Sequence, residues 1–210
     1  MAESTASRRV FLLSPARVNG KRAQILMRPE AEFDLAVRLR ETGAPLGEVF
    51  SFMSGLYFRG KLAYARAFAA PPIGTAGVWV ITAGRGLLPP ETVVTLADLR
   101  AFGLVSVDSQ GSAYFEPLKR DAEQLRASLG PEGSAVLLGS VATTKYSEPL
   151  ADVFGDQLLF PLDFVGRGDL SRGGLLLRAA TSGRELPYEP VGRATRHGRR
   201  PARLPKIGVV

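Results

Sequence analysis

The clearest buried strand in the sequence is Gly77-Val78-Trp79-Val80-Ile81-Thr82, a short run rich in β-branched residues. It leads into Ala83-Gly84-Arg85-Gly86-Leu87-Leu88-Pro89-Pro90, where glycine and proline indicate a turn. Two other apolar runs, 9–13 and 134–138, have the same character and end in Ser14-Pro15 and Gly139-Ser140. These three runs predict the central strands of a sheet.

Helical patterns lie between the predicted strands. We expect helices over 30–41, 54–70, 95–102, 116–129 and 144–154, the third of them capped by Thr95 with Asp98 in the capping-box position. A short strand is predicted over 157–160, followed by a loop over 161–174 and an apolar helix. Strands that alternate with helices favour an α/β fold, a single layered domain with a mostly parallel sheet flanked by helices. The domain is assigned to 8–190, and a basic flexible C-terminal tail to 191–210.

The composition excludes several kinds of chemistry. The 210 residues include no cysteine, which rules out disulfides, thiol nucleophiles and cysteine-bound zinc or iron–sulfur sites. The one histidine, His197, lies in the basic tail, which disfavours a Ser-His-Asp triad or a histidine-rich zinc site. An enzyme of this composition would use carboxylates, lysine, arginine, hydroxyl groups, an oxygen-bound metal or a cofactor. The sequence identifies neither a cofactor nor a metal site.

No segment approaches the ~20 consecutive apolar residues that cross a bilayer. The first nine residues lack the apolar core and the cleavage site of a signal peptide. We therefore expect a cytoplasmic protein without a membrane partner.

The positive charge is concentrated in the tail. Of 27 basic and 20 acidic residues, six basic residues and no acidic residue lie in 191–210, so the first 190 residues carry a formal charge of only +1. A basic, extended arm is a common device for binding nucleic acid, because cations on phosphates release counterions. We predict nucleic acid as its partner and these contact residues: Arg193, Arg196, Arg199, Arg200, Arg203 and Lys206. The alternative is a solubilising end that binds nothing.

Phosphate-binding residues are predicted at the carboxyl ends of the strands, where open parallel sheets bind their ligands. If the three central strands are parallel, their ends share one edge of the sheet. Glycine lets backbone amides approach an anion and arginine adds a fixed charge. The predicted residues are Ser14, Gly84, Arg85, Gly86 and Ser140. Neither glycine pattern matches a dinucleotide fingerprint or a Walker loop, and the alternative is that these glycines only permit tight turns.

The loop 161–174 carries the other candidate residues. We predict that Ser171 caps the following helix and leaves its amides free to bind an anion. Arg167 and Arg172 would then hold a phosphate, and Asp163 or Asp169 would be the catalytic residue that orients water or holds a cation. The alternative is ordinary loop chemistry, in which the aspartates pair with the arginines and cap the helix.

Aromatic and basic side chains alternate in the helix predicted over 54–70. Tyr57, Phe58, Arg59 and Lys61 have the composition of a base-stacking platform, but aromatic residues at helical spacing belong more often to the core. We therefore favour a core position for the aromatic residues, and the stacking platform is the alternative. Lys145 and Tyr146 are adjacent and would point in different directions on a helix, which excludes a cooperating Tyr/Lys pair.

Several short motifs resemble bacterial domains related to the peroxide-stress YaaA family. Ser14-Pro15-Ala16 is similar to that family's Ser-Pro-Ala-Lys, with Arg17 in place of lysine, and Ser54-Gly55-Leu56-Tyr57 is similar to its Ser-Gly-Leu-Tyr. The strand 78–82 and the turn after it resemble a strand that ends in Ser-Ala-Lys before Gly-Leu-Leu, with Gly84 in place of that lysine. The likeness covers roughly the first 100 residues. It implies DNA association in a stress or damage response, and it transfers no catalytic residue.

Two functions are compatible with these observations. The first is a nucleic-acid-associated protein that binds phosphate or a nucleotide at the strand-end edge, acts on DNA or nucleosides and uses the basic tail for affinity. The second is an enzyme for a small nucleotide or sugar phosphate that uses carboxylate and arginine chemistry. The sequence does not decide between them, nor whether the protein is catalytic.

Overall fold

A computed structural model describes residues 8–105, 112–140, 144–193, 198, 201, 202 and 204. Its main sheet has six strands, which in spatial order are β4 (Gly86–Leu88), β3 (Val78–Thr82), β1 (Arg9–Leu13), β6 (Ser134–Leu138), β7 (Leu158–Pro161) and β8 (Tyr188–Pro190). The four inner strands are parallel, and β4 and β8 run antiparallel at the two edges. Two short strands, β2 (Ala44–Pro45) and β5 (Val93–Val94), pair separately. The predicted α/β fold with a mostly parallel sheet is confirmed.

Helices flank the sheet. They are α1 (Lys21–Leu26), α2 (Asp34–Glu41), α3 (Leu46–Ser54), α4 (Leu56–Phe68), α5 (Leu96–Leu104), α6 (Ser112–Leu129), α7 (Thr144–Phe154) and α8 (Asp169–Ser182). Short 3₁₀ turns lie at 155–157, 162–164 and 191–193. Among the helices of the described residues, none combines the length and the apolar character that a bilayer crossing requires.

Most predicted elements agree with the observed ones to within a few residues. The helix predicted over 144–154 is α7 itself, and Pro149 lies inside it without ending it. Thr95 caps α5 through a complete capping box with Asp98. The helix predicted over 54–70 is α4, which Gly55 separates from α3 by a sharp change of direction at φ +62°. Propensity and capping residues are local signals, which is why they locate these elements well.

The predicted loop 161–174 is too long, and the predicted cap at Ser171 is wrong. Helix α8 begins at Asp169 with Gly168 in the N-cap position, so Ser171 lies in the first turn of the helix. A carboxylate such as that of Asp169 favours a helix start because it faces the positive end of the helix dipole. The two glycines that resembled loop residues, Gly173 and Gly174, lie inside the helix.

The two central strands form the middle of the core. Four of the five residues of β1 and all five of β6 are buried, as expected for strands covered on both faces. The two strands are paired along their whole length, from Arg9 opposite Ser134 to Leu13 opposite Leu138. The residues that follow them therefore emerge side by side at one edge of the sheet.

Helices α4 and α8 approach each other unusually closely, because two glycines face each other at the crossing. A Cβ atom on Gly60 would lie 2.6 Å from the carbonyl oxygen of Gly173. A Cβ atom on Gly173 would lie 2.8 Å from the carbonyl oxygen of Leu56 and from Cα of Tyr57. Since the obstructing atoms belong to backbone, neither helix can carry a larger residue there unless the two move apart.

We expect Gly173→Ala to destabilise the protein, by about 1–3 kcal/mol, because the added methyl group overpacks the helix crossing. The neighbouring Gly174→Ala is the matched control, since its Cβ would lie 3.8 Å from the nearest side-chain atom, Cδ1 of Leu204. It should stabilise the helix by up to about 1 kcal/mol through higher helix propensity. Urea unfolding measures both free energies, and equal effects of the two substitutions would contradict the tight crossing.

Candidate functional site

The order of the strands changes direction between β1 and β6. The chain runs from β1 to β3 on one side and then returns past β1 to β6 on the other side. Ligands of open parallel sheets bind at such a switch point, beyond the carboxyl ends of the strands. Ser14 follows β1 and Gly139-Ser140 follows β6, so the structure brings these predicted residues together at the switch point. A Cβ atom on Gly139 would lie 3.0 Å from Cβ of Ser14, a tight contact that glycine avoids.

A buried lysine reaches this point from α4. Lys61 Nζ donates hydrogen bonds to the backbone oxygen of Ser14 at 2.6 Å and to Ser14 Oγ at 2.9 Å. The residue is 1% exposed, and Nζ lies 4.5 Å and 4.9 Å from the ring centres of Tyr57 and Phe58. Lys61 is thus a cationic group in largely aromatic surroundings, attached to the end of the central strand.

The pKa of Lys61 reflects this burial. The pKa of its ammonium group is lowered from 10.5 to about 7, chiefly by the loss of hydration; the negative charge of Asp169 opposes this shift and the positive charge of Arg172 adds to it. At neutral pH, Lys61 is therefore divided between its ammonium and its amine form.

Arg172 adds a second, largely buried cation from the first turns of α8. Its Nε and Nη2 donate to the backbone oxygen of Phe164 at 3.2 and 3.1 Å, and the guanidinium lies 5.4 Å from the centre of the Phe164 ring. Its Nη1 lies 3.9 Å from Asp169 Oδ1. The side chain of Arg172 is 12% exposed and that of Asp169 73%, so the one nearby carboxylate is mostly in solvent.

Three tyrosines surround the switch point. The hydroxyl groups of Tyr57 and Tyr114 are buried and have no hydrogen-bond partner of normal geometry among the described residues. Burial raises the pKa of both phenols, and Arg172 partly opposes the rise for Tyr57, so both remain protonated donors. Tyr146 Oη accepts a long hydrogen bond from the backbone N–H of Ser140 at 3.5 Å.

The turn at Gly84-Arg85-Gly86 lies on the same edge but has a different role in the fold. It joins β3 to the antiparallel edge strand β4, and both glycines have positive φ angles of +82° and +64°. A side chain on Gly86 would overlap Asp121 of α6, whose Oδ2 accepts from the N–H of Leu87 at 2.9 Å. Arg85 donates to Asp98 at 3.0 Å and lines a separate cavity of about 660 Å³ beside Trp79.

The remaining loop candidates hold the loop together. Arg167 donates to the backbone oxygen of Asp163 at 2.9 Å, to Ser171 Oγ at 3.2 Å and to the backbone oxygen of Ala202 at 3.5 Å. Asp163 is exposed. Arg167 and Ser171 line a cavity of about 530 Å³, which is not the cavity that Arg85 lines. Of the predicted loop residues, Asp169 and Arg172 lie near enough to Lys61 to act on its charge.

The nucleic-acid residues predicted in the tail are mostly outside the described part of the chain. Arg193 is described, and its Nη2 lies 3.2 Å from Asp156 Oδ2 on the surface. Arg196, Arg199, Arg200, Arg203 and Lys206 lie outside the described residues. Within the described ranges, no group of three or more acidic or histidine side chains is placed to hold a metal ion.

Sequence reasoning named Lys61 together with the aromatic residues of α4 but missed its burial and its relation to Ser14. The signal was present, because Tyr57, Lys61, Tyr64 and Ala65 recur at helical spacing on the buried face of α4. A basic residue on such a face must find a polar partner. The identity of that partner, 47 residues earlier in the chain, is a tertiary contact.

Comparisons with protein-family models, curated proteins and solved structures return no significant match to this chain.

The stability of the protein should rise with pH above neutrality because of Lys61. Its pKa is about 7 in the folded protein and 10.5 in the reference state, so between these values the unfolded chain binds one more proton. Stability then increases by on the order of 1 kcal/mol per pH unit. Urea unfolding of the wild type and of Lys61→Met between pH 7.5 and 9.5 tests this, because the substitution should remove that part of the slope. Parallel curves for the two proteins would contradict the buried, readily deprotonated amine.

Proposed function

We propose that the protein is an enzyme for a small nucleotide or sugar phosphate, and that it binds the phosphate group of this substrate at the switch point between β1 and β6. One observation carries the proposal: the buried Lys61 reaches the switch point, and the nearby Arg172, whose side chain is 12% exposed, adds a second cation, while the carboxylate of Asp169 that accompanies them is 73% exposed.

The charge balance of the site favours an anionic ligand. Buried charges in proteins are normally paired, because an uncompensated charge in a poorly hydrated environment is costly. Neither Lys61 nor Arg172 has a buried carboxylate partner among the described residues, and each instead donates to backbone or hydroxyl oxygens. A phosphate group would supply the missing negative charge opposite Arg172, which offers several parallel donors, and Lys61 donates a hydrogen bond to it as an ammonium or as an amine.

The hydroxyl groups around the site suit the same ligand. Tyr57 and Tyr114 carry buried phenolic hydroxyls with no hydrogen-bond partner of normal geometry among the described residues, and Arg172 lies near enough to Tyr57 to interact with it. An unpaired buried polar group costs about 1–3 kcal/mol, so such groups commonly serve a ligand or a reaction. Asp169, in the first turn of α8, is the better placed of the two predicted catalytic carboxylates, and Asp163 is the alternative.

Calorimetric titration with inorganic phosphate, AMP and ribose 5-phosphate tests the proposal. We expect the wild type to bind at least one of them, and Lys61→Met and Arg172→Gln to weaken binding by tenfold or more, because a hydrogen bond to a charged group contributes about 1.5–3 kcal/mol. Arg85→Ala is the comparison variant, since Arg85 is paired with Asp98 and lines another cavity. Loss of affinity in Arg85→Ala alone would move the phosphate site to the β3–β4 turn. Absence of binding to the wild type would remove the proposal.

A second candidate function is association with nucleic acid through the tail. Its specific support is the charge distribution, with six cations and no acidic residue in 191–210. The resemblance to the YaaA family adds DNA association and a stress or damage response. The two functions are compatible, because the tail and the switch point are different parts of the chain.

Neutralising the tail should weaken binding to mixed-sequence duplex DNA and flatten its salt dependence. Replacing Arg196, Arg199, Arg200, Arg203 and Lys206 by glutamine removes five cations, which lowers the logarithmic salt slope by up to about 4.5, roughly 0.9 per phosphate contact. A matched variant replaces five exposed arginines outside the tail by glutamine: Arg17, Arg28, Arg59, Arg100 and Arg184. Fluorescence anisotropy at several salt concentrations measures both slopes. An equal change in the two variants would show that the tail has no particular role.

A further inference from the structure

We propose that Ser14 is a nucleophile and that Lys61 is the base that accepts its proton, so that the site transfers a phosphoryl group through a covalent serine intermediate. This inference rests on the proposed function, because the phosphate bound there is the group that Ser14 would attack.

The hydrogen bonds of the pair suit proton transfer from the serine to the lysine. Ser14 Oγ lies 2.9 Å from Lys61 Nζ, within the range required of a nucleophile and its base. The bond from Nζ to the backbone oxygen of Ser14, at 2.6 Å, fixes the lysine in this position. In the structure the serine hydroxyl donates to the backbone oxygen of Leu138 at 3.3 Å, which is a long and weak bond. The hydroxyl proton can therefore turn to the amine at little cost.

The surroundings make Lys61 a base rather than a permanent cation. The charged and titratable groups that face it are Tyr57 on its own helix and Asp169 and Arg172 on α8. None of the described carboxylates forms a hydrogen bond with Lys61 or Ser14. Burial accordingly holds the pKa of Lys61 near 7, where a substantial fraction is the free amine.

Glycine at position 139 keeps a side chain away from Ser14 Oγ on the side of β6. A Cβ atom on residue 139 would lie 3.3 Å from this oxygen and 3.1 Å from Cε2 of Tyr146, and glycine at this position avoids both contacts. A purely structural tie between α4 and β1 would not require an ionisable group, since a buried ammonium is costly and a neutral donor would serve.

The proposed reaction has two steps. Ser14 Oγ forms a bond to phosphorus while the bond from phosphorus to the leaving oxygen breaks, and the hydroxyl proton passes to Lys61 Nζ. The resulting ammonium gives this proton to the leaving oxygen. The oxygen of a water molecule then bonds to phosphorus while the bond from phosphorus to Ser14 Oγ breaks. The water gives one proton to Lys61 Nζ, which passes it to Ser14 Oγ, so phosphate is released and the serine is restored.

The chain contains no cysteine, which provides a direct test. Ser14→Cys introduces a single thiol beside Lys61, and the rate of its alkylation by iodoacetamide against pH reports the pKa of that thiol. We expect an inflexion below the ordinary value of about 8.5. Adding Lys61→Met should slow alkylation at pH 7 by about tenfold, because the thiolate loses its cationic partner.

Ser134→Cys is the matched control. Ser134 lies at the opposite end of the neighbouring strand β6 and is similarly buried, at 8% exposure against 6% for Ser14. Its thiol should react slowly, and Lys61→Met should not alter its rate. The proposal fails if Ser14→Cys is as unreactive as Ser134→Cys, or if its rate does not depend on Lys61.

If Ser14→Cys does not fold, a labelling experiment on the wild-type protein tests the proposal instead. A small dialkyl phosphorofluoridate should label Ser14 with loss of fluoride, mass spectrometry locates the label, and Lys61→Met should suppress it. Labelling elsewhere, or none, overturns the proposal. These reactions are independent of phosphate affinity, so binding of phosphate by the wild type with an inert Ser14 would refute the nucleophile and leave the proposed function standing.

Discussion

The hydrogen bonds from Lys61 to Ser14 join helix α4 to the carboxyl end of the central strand β1. Every other feature of the candidate site is arranged around this contact. It fixes the direction of the chain where it leaves the sheet, and it places an ionisable nitrogen at the switch in strand order. The same contact brings a charge into the core, where the loss of hydration opposes the ammonium form. The stability of the fold and the proposed role as a base therefore both depend on Lys61.

The close crossing of α4 and α8 extends this arrangement to the second cation. Because Gly60 and Gly173 lack side chains, the two helix backbones come into contact, and Arg172 lies one residue before the contact point. Its guanidinium is then held by the backbone oxygen of Phe164 and by the face of the Phe164 ring. Arg172 therefore holds the loop between β7 and α8 in place, and its charge also acts on Lys61. Gly60 and Gly173 have no reactive side chains, but their close contact brings the helices of Lys61 and Arg172 together.

The other glycine-rich part of the edge illustrates how similar sequence features have different physical causes. Gly84 and Gly86 permit a tight turn, and Gly86 also makes room for Asp121, which binds the free N–H of the edge strand β4. Gly139 instead allows Ser14 and Tyr146 to approach each other at the switch point. In the first case glycine leaves room for a carboxylate that binds a sheet edge, and in the second it allows a close approach of two side chains. Only the neighbours of each glycine distinguish the two.

The sequence by itself determined the fold class, the parallel central strands and the places of α2, α4, α5, α6 and α7, because periodicity, β-branched runs and capping residues act over a few neighbouring positions; it did not predict α1 or α3. It also placed Ser14 and Ser140 at one edge, since parallel strands must end together. The sequence did not reveal the start of α8, because Gly173 resembles a loop residue unless its packing against α4 is known. The pairing of Lys61 with Ser14, and the approach of Arg172 to both, were decided by tertiary structure alone. These groups lie far apart in the chain, and only the packing of α4 and α8 on the sheet brings them into one poorly hydrated space, where burial changes their chemistry.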